Sequence, residues 1–118
     1  MRILAAAFGI LASQALAAEQ DFVTDLALCP LDPIERHEKG LSFDGQFVTE
    51  IEWLCEMETP LPQVTWTKDQ TFFRMGYCNE PGAVFPGVFV FMVSEYNPGQ
   101  LSMYNGDSGE PTEFHLCP

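Results

Sequence analysis

The stretch Phe47–Pro60, FVTEIEWLCEMETP, alternates along its length. Phe47, Ile51, Trp53, Cys55 and Met57 share one parity, and Glu50, Glu52, Glu56 and Glu58 share the other. A period of two is the pattern of a strand with one face on a core and the other toward water; a helix would repeat every 3.6 residues. The same period continues downstream. Thr71–Cys78 (TFFRMGYC) sets Phe73, Met75 and Tyr77 in phase, and Val88–Val93 (VFVFMV) is apolar at both parities. The latter pattern belongs to a central strand or to one whose outer face is covered. Gln100–Tyr104 and Thr112–Cys117 are shorter strands, with Leu101, Met103, Phe114 and Leu116 in phase, and Leu41–Phe43 precedes the first long strand.

Turn chemistry separates these segments. Asp44-Gly45 is a hairpin dipeptide, and Lys68–Gln70, Asn79–Gly82, Asn97–Gly99 and Asn105–Pro111 are polar, Gly- or Pro-containing connections. Val64–Thr67 is a candidate further strand, and Gln20–Leu28 the one candidate helix, of one or two turns. The fold class is therefore all-β: a small antiparallel barrel or sandwich of about 6–8 short strands. Its expected core is Phe43, Phe47, Ile51, Trp53, Phe73, Met75, Tyr77, Phe89, Phe91, Leu101, Met103, Phe114 and Leu116.

The first residues read as a leader. Arg2 is followed by the apolar run Ile3–Ala12 and by Ala15-Leu16-Ala17, a small-x-small cleavage site, so residues 1–17 are expected to be a signal peptide. The apolar run falls short of the roughly 20 residues that span a bilayer. A single exported domain, residues 18–118, periplasmic or extracellular and without stable membrane insertion, is the expectation.

The chain has 17 Asp and Glu against five Lys and Arg, a net charge of −12. Arg2 is the only charged residue before Ala18, so cleavage makes the protein one unit more negative. Such a charge excludes nucleic acid, whose phosphates need Lys and Arg, and opposes an anionic membrane surface. It leaves solubility, or a cationic protein partner, as its use.

Cys29, Cys55, Cys78 and Cys117 contain no C-x-x-C pair, so two disulfides are expected and a thiolate metal site is not. Cys29 lies in the segment leading to the hairpin that ends at Cys55, and Cys78 and Cys117 both fall out of phase with their strands' apolar sets. These points favour 29–55 with 78–117, although an up-and-down meander would set Cys78 and Cys117 at opposite ends.

The candidate chemistry is sparse. On one strand Glu50 and Glu52 would stand about 7 Å apart, a separation that two glycosidase carboxylates share with any solvated strand face. Gly106-Asp107-Ser108-Gly109 resembles the nucleophile motif of trypsin-like proteases, but the chain lacks their length and Glu110 stands at the next glycine. Asn105, Asp107 and Glu110 lack EF-hand spacing. His37 and His115 are far apart in sequence. No catalytic residue, metal or cofactor is assigned. The aromatics outside the core phase, Trp66, Phe72, Tyr96 and Tyr104, together with Glu50 and Glu52, form the candidate partner surface.

Cys29, L-x-F at Leu41, W-x-C at Trp53, C-x-E-P-G at Cys78, L-x-M-Y at Leu101 and F-x-L-C at Phe114 resemble a loose group of small four-cysteine exported proteins of Gram-negative bacteria. That resemblance implies export and a stapled β domain, and carries no activity. The chain is also similar in size, export, β-rich character and disulfide use to periplasmic inhibitors of C-type lysozyme. Their S-G-x-x-Y and Y-x-x-x-T-K-G elements are absent, and Thr67-Lys68 is followed by Asp69. The expectation is a monomeric binding or accessory domain that takes a cationic protein or a small apolar ligand, with inhibition of a basic secreted enzyme such as lysozyme as the alternative.

Overall fold

Pro81 and Gly82 turn the chain between its two longest strands, β5 (Gln70–Glu80) and β6 (Ala83–Val93). Proline presets the first central position of the turn, and Gly82 has φ 87°, a left-handed conformation open to glycine at little cost. Glu80 pairs with Ala83, and the ladder runs without a break to Gln70 opposite Val93. The computed structural model describes residues 20–106 and 109–118; the expected leader, and Asp107 and Ser108 of the GDSG segment, lie outside them.

The remaining strands flank this hairpin in chain order: β1 (Phe22–Val23), β2 (Ser42–Phe43), β3 (Phe47–Glu50), β4 (Trp53–Met57), β7 (Gln100–Asn105) and β8 (Thr112–Leu116). Each pairs antiparallel with its neighbours in sequence. β1 pairs with both β2 and β8 and closes an eight-stranded up-and-down barrel. Full closure removes the free edges of an open sheet. A 3-10 turn (Leu26–Leu28) and helix α1 (Pro33–Lys39) lie between β1 and β2. Asp32 caps α1 by accepting from the Glu35 N–H, which holds its carboxyl below the usual range. Arg36 of α1 pairs with Asp21 at 2.8 Å and donates to the carbonyls of Leu28 and Cys29, tying the helix to the first strand's flanks.

The barrel is filled by aromatic rings. Phe43 stacks on Phe91 at 4.9 Å and contacts Phe22 and Phe114 at 6.1 and 5.8 Å. Val48, Cys55, Met57, Leu101 and Met103 complete the layer. The segment between β4 and β5 covers one end of the barrel with buried Leu61 and Val64. Gln20 holds it there, accepting from the Val64 N–H and donating to the Pro62 carbonyl.

Four sequence expectations are corrected. First, Phe47–Met57 is not one strand. Its alternation spans two, β3 and β4, joined at Ile51-Glu52, so Val48 points inward, Phe47 is half-buried and Ile51 is exposed. Second, β5 is turned over. Phe72, Arg74, Gly76 and Cys78 take the inner parity, while Phe73, Met75 and Tyr77 face out. Gly76 explains the choice: a Cβ there would meet Phe89 Cε2 at 2.9 Å and Met57 Cε at 3.0 Å, so that rung holds only glycine beside two core side chains. Third, the disulfides are Cys29–Cys117 and Cys55–Cys78. The second joins directly opposed residues of β4 and β5. Once β5 is turned over, Cys78 is in phase with the interior beside buried Cys55. Fourth, Gln20–Leu28 holds β1 and the 3-10 turn, the helix falls at Pro33–Lys39, and Val64–Thr67 is loop. The barrel itself, its short strands and its two disulfides agree with the expected class.

Two predictions test this packing. Gly76→Ala should lower stability by about 1–2 kcal/mol through overpacking, seen as a lower urea midpoint at unchanged slope. Removing the 88-residue closure with Cys29→Ala/Cys117→Ala should cost about 4 kcal/mol, more than the roughly 3 kcal/mol for opening the 23-residue closure. Calorimetry of each double variant measures both.

Candidate functional site

Turning β5 over places an apolar ladder on the outside of the barrel. Phe73 lies opposite Val90, Met75 opposite Val88, and Tyr77 opposite Pro86, with Met92 and Val84 extending the rows at either end. Phe73 is 67% exposed, Val84 61% and Val88 52%, and Met75, Tyr77 and Met92 are each close to 45%. Tyr104 of β7 stands beside Val90 and widens the face. With aromatic side chains offering roughly 150–250 Å² each, these side chains together expose on the order of 500 Å². That is near the upper end of about 300–600 Å² for the largest patch on a typical monomer. Among the described residues, none is buried on this side of the hairpin.

Carboxylates border the face. Glu56 of β4 is the outward neighbour of Tyr77, and Glu58 follows it, bonded through its N–H to the Met75 carbonyl. On the other border Glu113 of β8 accepts from Ser102 Oγ and Gln100 Nε2. Arg74, the one cation in β5, is on the inner parity. It is held over Phe72 at 5.8 Å and donates to the Thr59 and Pro60 carbonyls.

The residues singled out from sequence fall into separate places. Trp66 and Phe72 are partly buried and pack against the core, Trp66 edge-on to Phe22 at 6.2 Å, apart from the outer ladder. Tyr96, 81% exposed, lies in the β6–β7 connection, and Tyr104 on the outer ladder. Glu50 and Glu52 do not share a strand face: Glu50 ends β3 and Glu52 lies in the β3–β4 turn, where Glu80 and Trp53 join them around one shallow depression. Glu80 is the member that sequence spacing did not bring in. Glu52 has φ 63°, the only left-handed non-glycine among the described residues.

His37 sits on α1 within 3.2 Å of Ser42 Oγ, and His115 on β8 opposite Gln100 and Val23. Among the described residues no group of three or more His, Cys, Asp or Glu is placed to hold a metal ion, and no helix is long and apolar enough to cross a membrane. The outer ladder was the feature missed. Its signal was the two-sided apolar pattern of Val88–Val93, which reads equally as a covered strand.

The chain matches no family model, no curated protein and no solved structure.

Glu52 supplies the testable point of the turn. A non-glycine in the left-handed region is strained by about 1–2 kcal/mol, which glycine relieves at some cost in chain entropy. Glu52→Gly should raise stability by about 1 kcal/mol, measured by thermal unfolding.

Proposed function

We propose that this protein is an exported binding domain without catalytic chemistry, which holds a basic protein partner against the outer face of the β5–β6 hairpin. The apolar ladder of Phe73, Met75, Val88 and Met92 on the outside of a closed barrel carries the reading. Cross-strand pairs on the wet side add only a few tenths of a kcal/mol to about 1 kcal/mol each, so a barrel with a filled interior does not require so large an apolar patch there, and such patches mark interaction sites. Glu56, Glu58 and Glu113 along its borders, and the net charge of −12, set the partner's sign. Complementary charge steers and orients such an encounter. The two disulfides accord with an oxidising compartment outside the cytoplasm.

One feature favours inhibition of a basic secreted enzyme as the form this binding takes. Among the described residues β6 is unpaired on the β7 side from Ala83 to Val88, whereas on the β4 side the hairpin is paired as far as Asn79. The unpaired β6 edge beside the β5–β6 tip leaves backbone groups and side chains free to meet a partner's concave site.

The test is titration of the immobilised protein with a panel of basic secreted proteins, C-type lysozymes included, in 50 and 500 mM NaCl. Binding should weaken about tenfold or more at the higher salt, since screening shortens the reach of surface charge. It should be lost in Phe73→Ser/Val88→Ser and kept in Tyr96→Ser. A double variant that binds as the wild type does, or an absence of basic partners at either salt, overturns the reading.

A further inference from the structure

The end of the barrel opposite the β4–β5 segment is open. Trp53 at the start of β4, Phe85 and Phe89 of β6, and the end of β7 surround a cleft of about 640 Å³. Phe89 is buried and forms its floor, whereas Phe85 is half exposed and Trp53 partly so, forming its walls. Gly87 and Gly106 border it without side chains. A Cβ at Gly87 would make only ordinary contact with Phe89 at 3.4 Å, and one at Gly106 would meet nothing within 4 Å. The volume, the apolar walls and the position at a barrel mouth are those of small-molecule sites.

The charge around the cleft limits what it can take. Glu80 lines it, and Glu50 and Glu52 lie across Trp53 in the adjoining depression. Among the described residues Glu50, Glu52 and Glu80 form no ion pair with a Lys, Arg or His. An anion is repelled here. A neutral apolar molecule would use the walls and leave the carboxylate unused. A cation with an apolar body uses both, because the face of an indole attracts positive charge and does so most strongly among the aromatic side chains.

We infer that this cleft binds a small organic cation, its apolar body on Phe85 and Phe89 and its charge between the Trp53 ring and the Glu80 carboxylate. The cleft does not depend on the partner-binding face: its aromatic walls, Phe85 and Phe89, are on the inner parity of β6, and only its rim reaches Pro86 and Val88 of the outer ladder.

The probe is benzyltrimethylammonium, compared with its neutral isostere neopentylbenzene, by ¹H–¹⁵N shift mapping of the folded protein and by Trp53 fluorescence. Ring-current shifts should centre on the Trp53 indole, Gly87 and Phe89, and the cation should bind about tenfold tighter than the neutral isostere. Glu80→Gln should erase most of that preference, whereas Glu95→Gln, in the β6–β7 connection, should leave it. Gly87→Leu should fill the cleft and abolish shifts from both probes. Equal binding of the two probes, or an equal effect of Glu80→Gln and Glu95→Gln, overturns the assigned charge. Shifts centred on Met92 and Tyr104 overturn the site, and because they are read on the wild-type chain they do so even if Gly87→Leu fails to fold.

Discussion

The register of β5 against β6 governs the rest of the molecule. Side chains alternate across a strand, so displacing β5 by one residue exchanges its whole inner face for its outer one. Two covalent or near-covalent constraints hold the register where it is. The Pro81–Gly82 turn sets Glu80 opposite Ala83, and the Cys55–Cys78 bridge sets β5 against β4 at directly opposed residues. With both in place, Gly76 falls where Phe89 and Met57 leave room for no side chain. Arg74 falls at the barrel end, where the carbonyls of Thr59 and Pro60 take its charge-bearing donors. Phe73, Met75 and Tyr77 are then obliged to face water.

Function, on this account, is a consequence of that obligation. A closed barrel needs one apolar face per strand; β6 carries two, and β5 turns its more apolar parity outward. The inner set, Phe89, Phe91 and Val93, stacks with Phe43 and Phe114 in the interior. The outer set has no such use within the domain, which makes it available to a partner. The second closure, Cys29–Cys117, joins the segment after the 3-10 turn to the end of β8 and so secures the two-residue strand β1 that closes the ring. Two residues of pairing on each side would hold β1 weakly. The disulfide and the Arg36–Asp21 pair hold both of its flanks.

Much of this was legible in the residues. Asp44-Gly45 and Pro81-Gly82 announce their turns through backbone chemistry that few other dipeptides supply, and Leu101, Met103 and Phe114 declare their phase because their neighbours are polar. The β3–β4 turn was not legible. Ile51-Glu52 has no turn chemistry, Glu52 is strained to make it, and the alternation survives on both sides well enough to pass for one strand. The phase of β5 was misleading for a related reason. Its inner parity contains an arginine and a glycine, its outer parity a phenylalanine, a methionine and a tyrosine, so apolar content points the wrong way. Only the packing against Met57 and Phe89, which comes from distant parts of the chain, decides it. The disulfide pairing went the same way, since it was inferred from that phase. Trp66 and Phe72, taken from sequence as surface, are partly buried against the core by the loop and the register, and the exposed ladder is built from residues assigned to the interior.

The central claim is the orientation of β5 and β6, and oxidation of methionine reads it directly. Met75 and Met92 are each close to 45% exposed on the outer ladder, and Met57 and Met103 are buried within the barrel at 0% and 2%. Brief treatment of the native protein with hydrogen peroxide, followed by peptide mass spectrometry, gives the rate at each position. The account predicts rapid conversion of Met75 and Met92 to the sulfoxide, with Met57 and Met103 protected until the protein unfolds. Protection of Met75 together with fast oxidation of Met57 would mean that β5 faces the other way, and the binding face and its partner would have to be abandoned.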